Sequence, residues 1–145
     1  MLALGIDPGT AICGFGFVES RGSRLIPRAY GSIFTSPKMK MEDRLMKIYD
    51  ELDALIKKYQ PDVMGVEKLF FNRNVTTAIP VGQARGIVLL TAAKNGLRLV
   101  ERTPMQIKQA IVGYGKADKH QIQEMVRMIL HQEKIIRPDD AADAV

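Results

Sequence analysis

Residues 2–9 of the chain read Leu-Ala-Leu-Gly-Ile-Asp-Pro-Gly, a short apolar run that ends in a carboxylate and a turn dipeptide. An apolar run of this length, closed by Pro-Gly, is typical of a buried β-strand that ends at a turn. Residues 14–18 follow closely and predict an antiparallel return strand, and residues 24–35 complete a meander. Pro27 favours an edge position for the third strand, because proline cannot donate to the hydrogen-bond ladder.

The hydrophobic period changes after this meander. Over residues 41–59 apolar residues recur at intervals of three and four, which predicts a helix that stops at Pro61. The short apolar run at residues 63–67 predicts a fourth strand. Because a helical crossover leads into it, this strand is expected to run parallel to the first.

Two more helices and one strand are predicted in the middle of the chain. Residues 75–95 predict a long helix that ends at a glycine, and Pro80 indicates either a kink in its first turn or a late start. Residues 97–100 are the fifth strand candidate. Thr103 has the position of an N-cap followed by proline, which predicts a helix over residues 104–112.

The last part of the chain has helical character. Residues 122–130 carry an apolar face at helical spacing, and the acid-rich residues 139–143 are typical of a helix start. A helix of six or seven residues is marginal by itself, so we expect this helix to continue beyond Val145. Since no repeat, low-complexity stretch or long linker divides the sequence, residues 1–145 are predicted to form one domain.

Composition narrows the class of protein. The 145 residues include 21 Lys and Arg against 16 Asp and Glu, a formal net charge of +5. The apolar runs are far shorter than the roughly 20 residues of a membrane span, and no secretory signal pattern opens the chain. A single cysteine, Cys13, excludes an internal disulfide and a thiolate metal site. A cytoplasmic protein is therefore expected, and its positive charge fits a nucleic-acid partner about as well as an ordinary mixed surface.

Four carboxylates fall where the predicted elements would gather them. Asp7 and Glu67 end two strands and would lie roughly 4.8 Å apart if these strands are parallel neighbours. Asp140 and Asp143, three residues apart, project from one helical face. Taken singly, Asp7 also fits a turn and the two helical acids fit a helix start, whereas Glu67 is an unusual choice for packing. Converging carboxylates repel one another unless a divalent cation lies between them, and oxygen ligands favour Mg²⁺ or Mn²⁺.

Five short motifs together give the chain a family resemblance. They are GIDPGT at 5–10, VE at 66–67, GQARG at 82–86, QIKQA at 106–110 and DAADA at 140–144. In this order and at these intervals they resemble the RuvC family of bacterial crossover junction endodeoxyribonucleases over essentially the whole chain. The resemblance implies an α/β, RNase H-like fold, in which helices flank a five-stranded mixed sheet.

The resemblance also implies the site. Its four acids are Asp7, Glu67, Asp140 and Asp143, which would hold two Mg²⁺ ions per subunit, with Mn²⁺ able to substitute. Asp139 adds an acid directly before the last motif and complicates the assignment of Asp140. The implied reaction is hydrolysis of a phosphodiester, in which one ion activates the attacking water and the other stabilises the leaving 3′ oxygen.

The implied substrate is the four-way (Holliday) DNA junction of homologous recombination and DNA repair. Two symmetric nicks resolve such a junction, and a two-fold dimer with one site per subunit suits that geometry. The resemblance implies such a homodimer, with the long second helix at its interface. Gly82 and Gly86 on that helix allow close approach either to a partner or to the sheet of the same subunit, and the sequence favours neither. RuvA and RuvB, the branch-migration proteins, are implied partners.

Three basic residues and one aromatic residue are expected to contact DNA. The three lysines Lys108, Lys116 and Lys119 flank the loop at 113–115 near the expected active face, where they can neutralise phosphates. Lys108 and Lys119 also match family positions that assist binding or catalysis, whereas Lys116 does not rest on the resemblance. Phe70 matches the family's aromatic that stacks on or wedges between bases at the crossover. Arg85 fits an ion pair as readily as a phosphate contact.

Three other functions stay open at this point. The GIDPGT motif also resembles the first phosphate loop of actin-like ATPases and sugar kinases, but those proteins need two such lobes and 145 residues supply one. A second alternative is another RNase H-like nuclease that processes RNA. The third is a junction-binding protein without chemistry, against which the complete set of acids argues.

Overall fold

The computed structural model describes residues 1–68 and 75–145. Strands and helices follow one another along these residues as β1 (Leu2–Asp7), β2 (Ile12–Arg21), β3 (Arg24–Phe34), α1 (Met41–Tyr59), β4 (Val63–Glu67), α2 (Val75–Lys94), β5 (Arg98–Arg102), α3 (Pro104–Val112), α4 (Lys119–Ile129) and α5 (Asp139–Ala144). The sheet has the strand order β3-β2-β1-β4-β5. β1 pairs antiparallel with β2 and parallel with β4, so the expected five-stranded mixed sheet with flanking helices is confirmed.

The side chains of β1 divide the molecule into two layers. Because successive side chains of a strand point to opposite faces, Leu4 and Ile6 lie on one face while Gly5 and Asp7 lie on the other. Leu4 and Ile6 are buried in the main hydrophobic core, together with residues of α1 and α2. Burying side chains of this size stabilises the fold by about 1.5–3 kcal/mol each. The core therefore fixes β1 from one side and leaves the other face to the last helix.

Glycines on that second face let α5 lie directly on the sheet. A Cβ atom added to Gly5 would stand 1.8 Å from the carbonyl oxygen of Ala144, and one added to Gly14 would stand 2.0 Å from that of Asp140. A Cβ on Gly16 would stand 2.4 Å from a methyl group of Val145. Only a residue without a side chain fits such a close backbone approach. The acid-bearing helix is thus held against β1 and β2 at close range.

Most element boundaries agree with the sequence pattern. Pro27 lies on β3, one of the two edge strands, as predicted, and a register shift occurs where Val18 pairs with it. Of the two possibilities at Pro80, the late start is excluded, because α2 already begins at Val75. Thr103 caps α3 as predicted. None of the helices within the described ranges combines the length and the apolar character needed to cross a membrane.

Candidate active site

A cleft of about 570 Å³ opens beside the C-terminal halves of β1, β4 and β5, where α3, α4 and α5 approach the sheet. Asp7, Glu67 and Asp143 are part of its lining. Its other walls include apolar side chains of α3 and α4, namely Ile107, Ile111, Ile122 and Val126. Three of the four acids that the sequence singles out therefore line one cavity.

Strand register brings the first two acids together. In the parallel pair formed by β1 and β4, Ile6 stands opposite Val66, and Asp7 and Glu67 are the next residues of their strands. The alternation of side chains directs both carboxylates to the face that α5 covers. The predicted pairing of two strand-end carboxylates agrees with this register.

The glycine contacts described above bring the other two acids to the same place. The backbone of Asp140 lies against Gly14 of β2, and Asp143 lies three residues further along α5, in the lining of the cleft. Residues at this spacing share one face of a helix. The last helix therefore carries its carboxylates to the ends of β1 and β4.

The pKa of Asp7 records this convergence. It is raised from 3.8 to about 6, first by burial of the carboxyl group and then by the negative charges of Asp143, Asp140 and Glu67. The positive charge of Lys119 acts in the opposite direction. Burial and nearby like charges both disfavour the ionised carboxylate. Three other acids thus lie close enough to Asp7 to help raise the pKa of its carboxyl group well above the usual value for aspartate.

Glu67 shows the same effects more weakly. Burial raises the pKa of Glu67, the charge of Asp143 raises it further, and Lys108 opposes both. Burial and the charge of Asp143 thus raise the pKa of both strand-end acids. Carboxylates with perturbed pKa values in a cleft are candidates for functional groups, because active sites use burial and like charges to shift the pKa values of their acids.

Asp139 and Asp140 differ in their surroundings. The carboxylate of Asp139 is half exposed and lies 3.4 Å from the ammonium of Lys119 and 3.7 Å from the guanidinium of Arg137. Asp140, by contrast, is one of the charges that raise the pKa of Asp7. The environment of the cleft therefore favours Asp140 over Asp139 as the partner of the strand-end acids.

The chemistry of these groups fits a hard divalent cation. All four acids offer carboxylate oxygens, the ligands that Mg²⁺ and Mn²⁺ prefer, and the raised pKa of Asp7 reflects negative charge that a cation would neutralise. As the side chains stand, however, the described residues contain no group of three or more His, Cys, Asp or Glu arranged to hold a metal ion. The ammonium of Lys119 instead lies 3.1 Å from Oδ2 of Asp143.

The predicted basic residues occupy different positions around the cleft. Lys108 and Lys119 both line it, and Nζ of Lys108 donates a hydrogen bond of 3.0 Å to the carbonyl oxygen of Ala117. Lys116 is exposed on the loop between α3 and α4. Phe70 lies outside the described residues. Arg85 pairs with Glu101 of β5, which supports the ion-pair alternative for that residue.

Sequence reasoning missed one basic residue of the cleft. Arg102 lines the cavity and stands opposite Glu67 in the register of β4 and β5. The predicted fifth strand stopped at residue 100, whereas β5 continues to Arg102. Had the predicted strand included residues 101 and 102, Arg102 would have been placed beside the end of β4. Because both residues are charged, the apolar pattern ended at residue 100 and the strand was predicted too short.

Comparison with known proteins gives one consistent result. A family model described as "Crossover junction endodeoxyribonuclease RuvC" matches residues 3–145. Curated relatives with that description include proteins of Desulfitobacterium hafniense and Heliobacterium modesticaldum, which are 57% and 54% identical over 145 residues. Each alignment covers the whole of this chain, and 88% and 90% of the respective relative.

Solved structures agree with the sequence comparison. The chain superposes with a TM-score of 0.94, at 34% identity, on a structure described as T. thermophilus RuvC in complex with Holliday junction substrate, covering 99% of this chain and 88% of that one. A yeast mitochondrial Holliday junction resolvase, Ydc2, shares the fold with a TM-score of 0.65 at 15% identity, over 98% of this chain and 75% of that one.

Proposed function

The chain belongs to the RuvC family of crossover junction endodeoxyribonucleases, and on this premise we propose how its cleft resolves four-way DNA junctions. The observation that carries the proposal is the action of three carboxylates, two on α5 and one at the end of β4, on the pKa of Asp7 at the end of β1. Such a concentration of negative charge beside DNA is unfavourable unless cations balance it. A metal-dependent nuclease uses it to place those cations at the scissile phosphate.

The proposed metal ligands are Asp7, Glu67, Asp140 and Asp143. Two Mg²⁺ ions per subunit are proposed, with Mn²⁺ able to replace them, because two ions can act on the attacking and leaving oxygens of a phosphodiester. Asp7 must give up its proton to bind a cation, since only the ionised carboxylate offers full charge to a metal. The cleft thus links metal loading to the charge state of Asp7.

Positive charge around the acids supports DNA as the substrate. The formal net charge of +5 includes the four proposed ligands, so the remaining residues carry +9. Lys108 and Lys119 in the cleft, with Lys116 on the adjoining loop, are the proposed phosphate contacts. Phe70 is proposed to stack on or wedge between bases at the crossover, which rests on the family motif alone. A basic surface with an acidic centre suits an anionic substrate that is cut at a metal site.

The outer face of α2 supports a homodimer. Ile79 and Leu90 are 62% and 51% exposed on this helix. A Cβ atom added to Gly82 or Gly86 would meet nothing within 4 Å, so this pair of glycines does not pack on the subunit's own sheet. These residues recur at intervals of three and four and form one apolar stripe. We infer that α2 of a second subunit covers it, which would give the dimer two sites for two nicks.

Family membership extends the proposal to the setting of the reaction. RuvA and RuvB are the proposed partners, and the cytoplasm is the proposed location, in accord with a single cysteine that is free and buried. Residues 1–145 are proposed to act as one nuclease domain. Recombination and repair of DNA are the processes in which such junctions arise.

Cleavage of defined substrates tests the proposed activity. A synthetic four-way junction, a linear duplex and an RNA substrate would be incubated with the protein and Mg²⁺, beside the variant Asp7→Asn. We expect paired nicks of like polarity in the junction alone, with 5′-phosphate and 3′-hydroxyl ends, and no cutting by the variant. Equal cutting of the three substrates, or unchanged cutting by the variant, would contradict the proposal.

A further inference from the structure

Lys119 faces two requirements that it cannot meet at once. As a DNA contact, its ammonium must approach a phosphate. In the structure that ammonium donates to Oδ2 of Asp143 at 3.1 Å and lies 3.4 Å from Oδ2 of Asp139. Asp139 and Asp143 are four residues apart on α5, so their charges are neighbours on one face and repel each other. The lysine therefore serves as the shared counterion of two acids on this helix.

The backbone of Lys119 is fixed, whereas its side chain is free to move. Lys119 is the first residue of α4, directly after the N-cap Asp118. Oδ1 of Asp118 accepts from the backbone N–H of Gln121 at 2.9 Å, and Oε1 of Gln121 accepts from the N–H of Asp118 at 3.0 Å. This reciprocal cap fixes the backbone at the start of α4. The flexible four-carbon stem of the half-exposed side chain lets the ammonium move without moving the helix.

We propose that Lys119 is an internal counterion, which pairs with Asp143 while no metal is bound. When a divalent cation binds Asp143, Lys119 is released and becomes available to the DNA. The inference rests on the proposed function, because Asp143 is one of the proposed metal ligands. A cation held by Asp143 would compete with Lys119 for that carboxylate. The freed ammonium lies in the lining of the same cleft, where it reaches a phosphate of bound DNA.

Two thermodynamic consequences follow from this exchange. Without DNA, lysine and metal compete for Asp143, so removal of the ammonium strengthens metal binding. With DNA, metal binding makes Lys119 available, so metal and DNA favour each other through this residue. Linkage requires the effect to be reciprocal. A lysine that only braces α5 against α4 would produce neither effect.

A metal titration without DNA tests the competition. Mn²⁺ binding to the protein and to Lys119→Met would be measured by calorimetry, with Lys116→Met as the matched control. Lys116 lies three residues before Lys119, exposed on the loop that precedes α4, and forms no ion pair with another described residue. We expect Lys119→Met to bind Mn²⁺ about three- to tenfold more tightly than the parent chain, the range that loss of two exposed ion pairs allows. Lys116→Met is expected to change the affinity less than twofold.

The outcomes separate this inference from the proposed function. Mn²⁺ binding by the parent chain with equal or weaker binding by Lys119→Met overturns the counterion role and leaves the metal site standing. Equal tightening by both lysine variants also overturns it, because the effect is then one of general charge. Absence of Mn²⁺ binding by the parent chain, even with junction DNA present, overturns the proposed metal site and this inference with it.

Thermal stability gives a readout that does not depend on activity. With a chelator present, we expect Lys119→Met to unfold at a lower temperature than the parent chain, because Asp139 and Asp143 then repel each other without a cation. In saturating Mn²⁺ we expect this difference to vanish, since the metal replaces the lysine. An equal loss under both conditions would show that Lys119 is a brace and would overturn the exchange.

Discussion

Asp7→Asn is expected to abolish cleavage and, in the absence of metal, to make the protein more stable at neutral pH. Asparagine keeps the size and polarity of the side chain and removes its charge. The folded protein holds the proton of Asp7 up to about pH 6, whereas the ordinary pKa of aspartate is 3.8. Ionised Asp7 is therefore a cost to the folded state, one that the amide does not carry.

The size and pH dependence of this effect follow from the shift in pKa. A rise from 3.8 to about 6 corresponds to about 3 kcal/mol, which we reduce to about 2 kcal/mol because part of the carboxyl group remains in contact with water. Between these two values the folded state binds more protons than the unfolded chain, so its free energy of unfolding falls as the pH rises. The advantage of the variant is thus largest above pH 6 and is lost toward pH 4.

Urea denaturation in the presence of a chelator measures this difference. The free energy of unfolding of the parent chain and of Asp7→Asn would be compared at pH 7.5 and at pH 4.5. We expect the variant to be more stable by about 2 kcal/mol at pH 7.5 and by less than about half of that at pH 4.5. Asp50→Asn, which changes an exposed aspartate of α1, is the matched control and is expected to have little effect.

Two results would refute the reasoning. A variant that is no more stable than the parent chain at pH 7.5 would show that Asp7 is not held in a strongly negative, buried environment. A difference that grows as the pH falls would reverse the sign of the proton linkage. Addition of Mn²⁺ gives an internal check, because the metal is expected to stabilise the parent chain much more than the variant.

The remaining predictions concern the seat of α5, the dimer and the aromatic residue. Gly5→Ala is expected to lower the free energy of unfolding by about 3 kcal/mol, because its Cβ would stand 1.8 Å from the carbonyl oxygen of Ala144. Gly65→Ala is the control, and it is expected to cost less than about 1 kcal/mol in the same denaturation assay because the nearest atom is 4.0 Å away. Equal costs would contradict the close approach of α5. Gly86→Arg is expected to yield a monomer by light scattering that is still folded by circular dichroism. The arginine side chain has room within the subunit but not at a helix–helix interface. An unchanged dimer would place the interface elsewhere. Phe70→Ala is expected to keep junction binding in a gel-shift assay and to lower the cleavage rate, and undiminished cleavage would show that the ring is dispensable.

Local pattern was sufficient to predict most of the fold. The apolar runs at 2–7 and 63–67 are short and flanked by turn residues, so strand was the only economical interpretation. Hydrophobic periodicity predicted the helix that begins at residue 41, and the Thr103 cap predicted the helix that begins at residue 104. The end of β5 was missed because Arg102 is charged, and a charged residue after an apolar run is typical of a loop. Its pairing partner on β4 cannot be read from the local sequence. Pairing with β4, a contact distant in sequence, extends the strand.

The sequence predicted which acids approach one another and two of the cations that line the cleft, Lys108 and Lys119, but it did not indicate Arg102. Asp7 and Glu67 could be paired because strand direction and the two-residue alternation follow from the sequence. The bridge from Lys119 to Asp143 depends on the approach of α4 to α5 across 24 residues, which no local pattern specifies. The open space beside Gly86 on the outer face of α2 also depends on long-range packing, so it could be seen only in the folded structure. Long-range packing decided what local spacing left open.

The most direct test of the proposed four-carboxylate site is the single-turnover rate of junction cleavage in Mg²⁺ for one set of amide variants. The set comprises Asp7→Asn, Glu67→Gln, Asp140→Asn and Asp143→Asn, with Asp139→Asn as the control from the same helix. Each of the four is expected to cut a synthetic four-way junction at least about 100-fold more slowly than the parent chain, while Asp139→Asn keeps most of the rate. Near-normal cutting by any of the four, or an equal loss in Asp139→Asn, would contradict the assignment of these acids as the metal-binding centre.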